Sequence, residues 1–202
     1  MKKTIGGAAI IIFGIVTYSF LGNDQETLET YKERILRERI ERNNFMSTSH
    51  ESPFASFGDT IVELKYFPIN EKFKITAKIE KIGSKEYVTL GSSNGAPIKY
   101  LKYAYAHFKI DEKPMKLLIL KNYKDVRGRL FTGFADATSG ESTYGAGRYI
   151  DLDFKNANRI TIDFNTAYSP YCNYNDSYSC PFPPKENILP IAITAGEKDY
   201  KL

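Results

Sequence analysis

The chain has 202 residues, of which 42% are hydrophobic, 26% charged and 14% aromatic, with 14 Gly and 9 Pro. That composition belongs to a folded globular chain and excludes a disordered, collagen-like or many-span membrane protein. The formal charge is +4, but setting aside Lys2 and Lys3 leaves 26 basic against 24 acidic residues. So even a balance holds no phosphate backbone, and nucleic acid is not an expected partner.

Residues 4–23 carry no charge and include Ile5, Ile10, Ile11, Ile12, Phe13, Ile15, Val16, Phe20 and Leu21. Twenty helical residues rise about 30 Å, the thickness of a bilayer's hydrocarbon core. Lys2 and Lys3 precede the run, and Asp24, Glu26 and Glu29 follow it. The positive-inside rule keeps the first residues cytoplasmic and places the rest outside. Residues 1–23 therefore read as a transmembrane anchor, with a cleaved secretory signal as the alternative. The expected partner is the membrane, and the expected location is extracytoplasmic, periplasmic in a Gram-negative cell.

Residues 24–45 have helical periodicity, with Leu28, Tyr31, Ile35, Leu36 and Ile40 on one side. Glu33–Arg37 and Glu38–Arg42 add favourable i,i+4 pairs. This is an amphipathic stalk whose apolar stripe packs on the edge of the next domain. Residues 43–57 are rich in Ser and Asn and read as a loop.

The domain, 46–202, is a series of strands. In 73–79, Phe73, Ile75, Ala77 and Ile79 alternate with polar residues, the period of a sheet with one wet face. Similar segments are 61–67, 87–90, 99–110, 115–123, 149–154, 159–164 and 188–195. Short turns at 111–114 and 155–158 imply hairpins. The expected fold is mainly β, an antiparallel sandwich or open barrel of about eight to ten strands, behind an N-terminal anchor helix and a short amphipathic helix.

Two polar loops hold the candidate site residues. The first, 134–149, contains Asp136, Thr138, Glu141, Tyr144 and Arg148 with three glycines. Gly145-Ala146-Gly147 could admit an anion that Arg148 clamps. Asp136 and Glu141 could work as acid and base. The plainer reading makes them turn caps and an ion pair. No dinucleotide fingerprint, P-loop or serine elbow is present, so no cofactor is expected. The second loop, 163–187, contains Asn165, Tyr168, Glu186 and Asn187. A long ordered loop of tyrosines and asparagines suits a sugar or peptide surface.

Cys172 and Cys180 are separated by seven residues. In an oxidising compartment they read as a disulfide, ahead of free thiols or a metal site. Only His50 and His107 could add nitrogen ligands, at spacings unlike a zinc site, so no metal is expected.

The two loops carry a resemblance. The motifs are Phe134-x-Asp136-x-Thr138-x-Gly140, Tyr144-Gly145-x-Gly147-Arg148-Tyr149, Asp163-Phe164-Asn165-x-Ala167-Tyr168, Cys172, Cys180-Pro181, Pro184, Glu186-Asn187 and Ala195-Gly196-Glu197. Over about residues 45–200 the chain resembles the bacterial domain of unknown function 1684 family. The resemblance implies an exported or membrane-anchored β-rich domain and no activity. The expected function is a non-enzymatic binding module for a small polar ligand, glycan or envelope partner. The alternative is an envelope carbohydrate or peptide hydrolase or lyase that uses paired carboxylates.

Overall fold

The structure, a computed structural model, describes residues 27–55, 63–122, 128–153 and 158–201. The candidate anchor, residues 1–23, lies outside them. Among the described residues no helix is long and apolar enough to cross a membrane.

Helix α1 spans Leu28–Thr48. Thr27 caps its start, its Oγ1 accepting the Thr30 amide at 3.2 Å. At its end the Ser47 and Thr48 hydroxyls turn back onto the carbonyls of Asn43 and Asn44. A compact unit, Ile35–Leu202, starts inside α1 and holds every strand described below. Within it the helix face differs from the expected stripe. Leu36 and Ile40 are 50% and 59% exposed, while Ile35 and Met46 are buried. Arg39 and Arg42, at the same helical pitch, are half-buried beside them. The apolar count missed this face because two of its members are arginines, whose stems pack while their heads find partners.

Seven strands among the described residues form one antiparallel sheet. They are β1 (Lys74–Lys81), β2 (Tyr87–Leu90), β3 (Ile98–Ile110), β4 (Lys113–Lys121), β5 (Leu130–Phe134), β6 (Arg148–Leu152) and β7 (Arg159–Asp163). The order across the sheet is β6-β5-β4-β3-β1-β7, with β2 pairing β3 off this path. The two end strands curl toward each other. Tyr149 of β6 and Tyr168, just past β7, exchange backbone hydrogen bonds of 2.9 and 3.0 Å. The result is a curled half-barrel, the open-barrel form of the expectation rather than a sandwich.

The concave face holds the main core, with Phe73, Ala77, Leu117, Ile119, Phe134, Ile150, Ile162 and Phe164 among its members. The convex face is covered too: Leu118 and Leu120 pack with Leu90 and Tyr100. Hence Leu117, Leu118, Ile119 and Leu120 are all fully buried, and β4 reads as a continuous apolar run. The β3–β4 hairpin turns at Asp111 and Glu112, both at positive φ (49° and 59°), as a two-residue type I′ connection requires.

Three differences from the sequence reading have physical reasons. Strand β5, Leu-Phe-Thr-Gly-Phe, lacks alternation because both of its faces are covered, so no two-residue period marks it. Residues 63–67 make an isolated bridge, Tyr66 to Glu197, and no strand. Residues 188–195 also form no strand. One parallel bridge, Ala135 to Ile188, and the Ala137 amide donating to the Ile191 carbonyl at 3.1 Å hold its first half, and the Asp136 and Arg148 side chains hold Ile193 and Ala195.

Candidate functional site

Asp136 and Arg148 face each other in the core, Nη2 donating to Oδ2 at 2.9 Å, with both side chains fully buried. Strand β6 begins at Arg148, which pairs with Phe134 at the end of β5. The guanidinium also donates to three carbonyls of the C-terminal segment: Ile193 at 2.9 Å, Glu197 at 3.2 Å, and Ala195. Carbonyls two residues apart on an extended chain face the same way, so one guanidinium serves the whole row. Asp136 completes the arrangement. Its Oδ1 accepts the Thr138 amide (2.9 Å), the Thr138 hydroxyl (2.7 Å) and the Ile193 amide (3.1 Å). Thr138 Oγ1 also meets Thr143 Oγ1 at 2.9 Å. Gly147 is no anion cradle. Its φ is +89°, and a Cβ there would collide with the Phe134 backbone and the Pro183 ring.

Asn187 is equally committed. β4 and β5 pair at Leu120–Phe131 and Lys121–Leu130. Continuing that register would place Leu118 opposite Gly133, and the buried Asn187 amide lies between them. Its Oδ1 accepts the Leu118 amide at 2.7 Å. Its Nδ2 donates to Leu118 O (3.0 Å), Gly133 O (2.8 Å) and Thr132 Oγ1 (3.1 Å). Glu186, its neighbour, is half-buried and accepts the Tyr105 hydroxyl at 3.1 Å. Glu141 is exposed in its turn. The acidic candidates therefore occupy different settings, one locked in the core, one in solvent and one on a tyrosine. They offer no paired acid and base.

Asn165 and Tyr168 do belong to a concavity. Asn165 is held by a reciprocal pair with the Asn70 backbone: its Oδ1 accepts at 2.9 Å and its Nδ2 donates at 2.8 Å. The two residues wall a cavity of about 160 Å³ with Ile35, Glu38, Arg39, Arg42 and Tyr66. Arg39 stacks on the Tyr66 ring and Arg42 on the Tyr168 ring, each with its guanidinium carbon 4.6 Å from the centroid. Arg39 also donates to the Phe67 carbonyl at 3.0 Å. The Tyr66 hydroxyl is buried and has no hydrogen-bond partner among the described residues. Burial, then the negative charge of Glu197, pushes its pKa up against the pull of the two arginines. It therefore stays a proton donor at every physiological pH.

Behind the cavity lies Glu197, fully buried, which sequence reasoning did not single out as a site residue. Arg42 Nε donates to its Oε2 at 3.1 Å, and the Tyr174 hydroxyl donates to its Oε1. Burial raises the Glu197 pKa above the ordinary carboxylate value, with Arg42 pulling the other way. Its proton is thus held more tightly folded than unfolded, so its contribution to stability falls as pH rises from the unfolded value through the folded one. Glu197→Gln should flatten that part of the curve. Urea midpoints between pH 4 and 8 should fall less with rising pH in the variant than in the parent; parallel curves would refute the assignment.

The structure brings the two cysteines of the second loop together. Both are buried and adjacent, with the Cys172 amide donating to Cys180 Sγ at 3.2 Å. Tyr144 reaches Cys172 Sγ with its hydroxyl at 3.8 Å.

The core polar groups, the curled sheet and these loops correspond to known proteins in two ways. Residues 59–198 match the family described as protein of unknown function (DUF1684). The chain belongs to the DUF1684 family. This DUF1684 chain is also similar to the solution NMR structure of an uncharacterized protein from Haloarcula marismortui, with 33% identity and a TM-score of 0.65, covering 84% of this chain and 95% of that one. No curated protein matches. The family match begins beyond α1, so Ile35, Arg39 and Arg42 bring to the DUF1684 domain a cavity wall from outside the matched residues. Glu197 lies inside the match, within the Ala195-Gly196-Glu197 motif. That motif could have pointed to it, whereas the arginines carry no signal beyond their helical spacing.

Proposed function

We propose that this DUF1684 protein is a non-enzymatic, exported or membrane-anchored binding module that takes one small, acceptor-rich ligand into the α1 cavity. The observation that carries this reading is the cavity wall: two arginines stacked on tyrosines, beside a buried tyrosine hydroxyl with no acceptor. Planar guanidinium groups and a neutral O–H donor suit a carboxylate or another oxygen acceptor. Size narrows the class. At about 30 Å³ per water, 160 Å³ holds on the order of five waters. That is a molecule of a few heavy atoms, well below the roughly 300–1,000 Å³ of a drug-sized site. The uncharged run at 4–23 behind two lysines supports the extracytoplasmic placement.

The test is an NMR titration of the domain with acetate, succinate and inorganic phosphate. Saturable shifts should centre on Arg39, Tyr66, Asn165 and Tyr168 for at least one probe, and Arg39→Gln should abolish them while leaving the rest of the spectrum in place. If none of the three probes moves these resonances, the reading fails. Fractionation of cells producing the full chain tests the location. Recovery of the intact chain from the cytosol would overturn that part.

A further inference from the structure

The registers of four adjacent strands bring four side chains into one line. Lys116 of β4 lies directly opposite His107 of β3, His107 opposite Lys78 of β1, and Lys78 opposite Arg159 of β7. Their chain neighbours Leu117, Ala106, Ala77 and Ile160 are buried in the main core, so the alternation of each strand turns all four outward onto the convex face. Lys116, Lys78 and Arg159 are exposed, and His107 is half-exposed. At the usual strand spacing neighbours stand about 4.8 Å apart, and the row spans roughly 14 Å.

The row carries one sign. Like charges directly opposite on neighbouring strands destabilise a sheet. Among the described residues one carboxylate reaches it, Glu80, whose Oε2 lies 2.7 Å from His107 Nε2. The other acids around it are engaged elsewhere. Glu112 pairs with Lys109 at 3.2 Å, Asp163 accepts the Asn165 amide at 3.0 Å, and Glu186 accepts the Tyr105 hydroxyl at 3.1 Å. Lys116 rests over the Tyr105 ring, 4.8 Å from its centroid. Thr76 and Thr161, exposed and opposite each other, lie beside Lys78 and Arg159 on the same face. The fold thus sets cations, hydroxyls and an aromatic ring side by side.

We propose that this row is a docking strip for an acidic polysaccharide, whose carboxylates pair with Lys116, Lys78 and Arg159 while Thr76, Thr161 and Tyr105 meet its sugar rings. Charge complementarity carries the proposal: an anionic chain supplies the counter-charges the sheet lacks. Shape selects such a chain over a bilayer. The row runs across the strands, the direction in which the sheet curls, since its two end strands approach each other at Tyr149 and Tyr168. A plane touches such a surface along the strands, whereas a flexible chain follows the curve. The hydroxyls and the ring suit sugars. The strip uses none of the residues that wall the α1 cavity.

The test is retention of the full chain on immobilised polygalacturonate, with neutral dextran as the control. Binding should be confined to polygalacturonate and should weaken steeply with added salt, as exposed charge contacts do. Lys78→Glu and Arg159→Glu should each weaken it roughly tenfold, while Lys85→Glu, which changes the net charge equally at an exposed position outside the row, leaves it unchanged. Lys78→Glu should also raise the Tm of the unbound protein, because it puts an acid between His107 and Arg159. Lost binding in a more stable protein is then not a loss of fold. Equal retention on dextran, or affinity unchanged in both row variants, would overturn the proposal, and a lower Tm for Lys78→Glu would remove its premise. Tighter binding of a single-stranded oligonucleotide, or row dependence seen only with phosphatidylglycerol nanodiscs, would give the face to a different partner and overturn the polysaccharide. Each readout is independent of whether the α1 cavity takes a ligand.

Discussion

Replacing Asn187 by Ala is expected to cost about 3–5 kcal/mol, because it strips two strands of partners at once. The side chain makes four hydrogen bonds at a fully buried position, to the Leu118 amide and carbonyl, the Gly133 carbonyl and the Thr132 hydroxyl. Water does not reach the groups left behind, and each buried unsatisfied group costs about 1–3 kcal/mol. Such a loss is a large fraction of the roughly 5–15 kcal/mol that holds a domain folded. Urea unfolding followed by circular dichroism measures it. Asn187→Asp is the sharper comparison, since it keeps the acceptor for Leu118 and loses every donor. It should fall close to the alanine variant, and a cost below about 1 kcal/mol for both would show that β4 and β5 close the gap on their own.

Arg148→Met should be at least as damaging. Removing one partner of a buried ion pair costs about 3–5 kcal/mol because the other charge stays behind. Here Asp136 would remain fully buried, and the carbonyls of Ile193, Ala195 and Glu197 would lose their donor. The double variant Arg148→Met with Asp136→Asn removes the stranded charge and should recover part of the loss. A coupling between the two positions below about 0.5 kcal/mol, the range expected of independent sites, would contradict the pairing.

Much of the fold was legible where one physical rule acts alone. β1 and β7 show the two-residue alternation, and the Asp111-Glu112 turn marks a hairpin by its charge and brevity. Legibility failed wherever a side chain replaced a backbone partner. Residues 188–195 have the apolar pattern of a strand, but at Ile193 and Ala195 the Arg148 and Asp136 side chains supply the hydrogen bonds that a neighbouring strand would. No propensity scale reads that from the segment itself. β5 failed for the opposite reason, because burial on both faces erased its period.

The candidate site was legible only in part. Of the nine ligand candidates, Asn165 and Tyr168 wall the cavity. Asp136, Thr138, Arg148 and Asn187 hold the core together, and in sequence a polar residue that binds a ligand looks the same as one that binds its own chain. Arg39, Arg42 and Tyr66 escaped notice because their meaning depends on what α1 packs against. An arginine on an amphipathic helix ordinarily signals solvent, and only the partners Glu197 and Tyr168 reverse that sign.

The reach of Glu197 has a consequence for how the protein is made. Its carboxylate closes on Arg42, 155 residues earlier, and its carbonyl on Arg148, 49 residues earlier. Contacts of such separation must pay loop-closure entropy before they reward it, so the barrel's wall closes late and as one cooperative step.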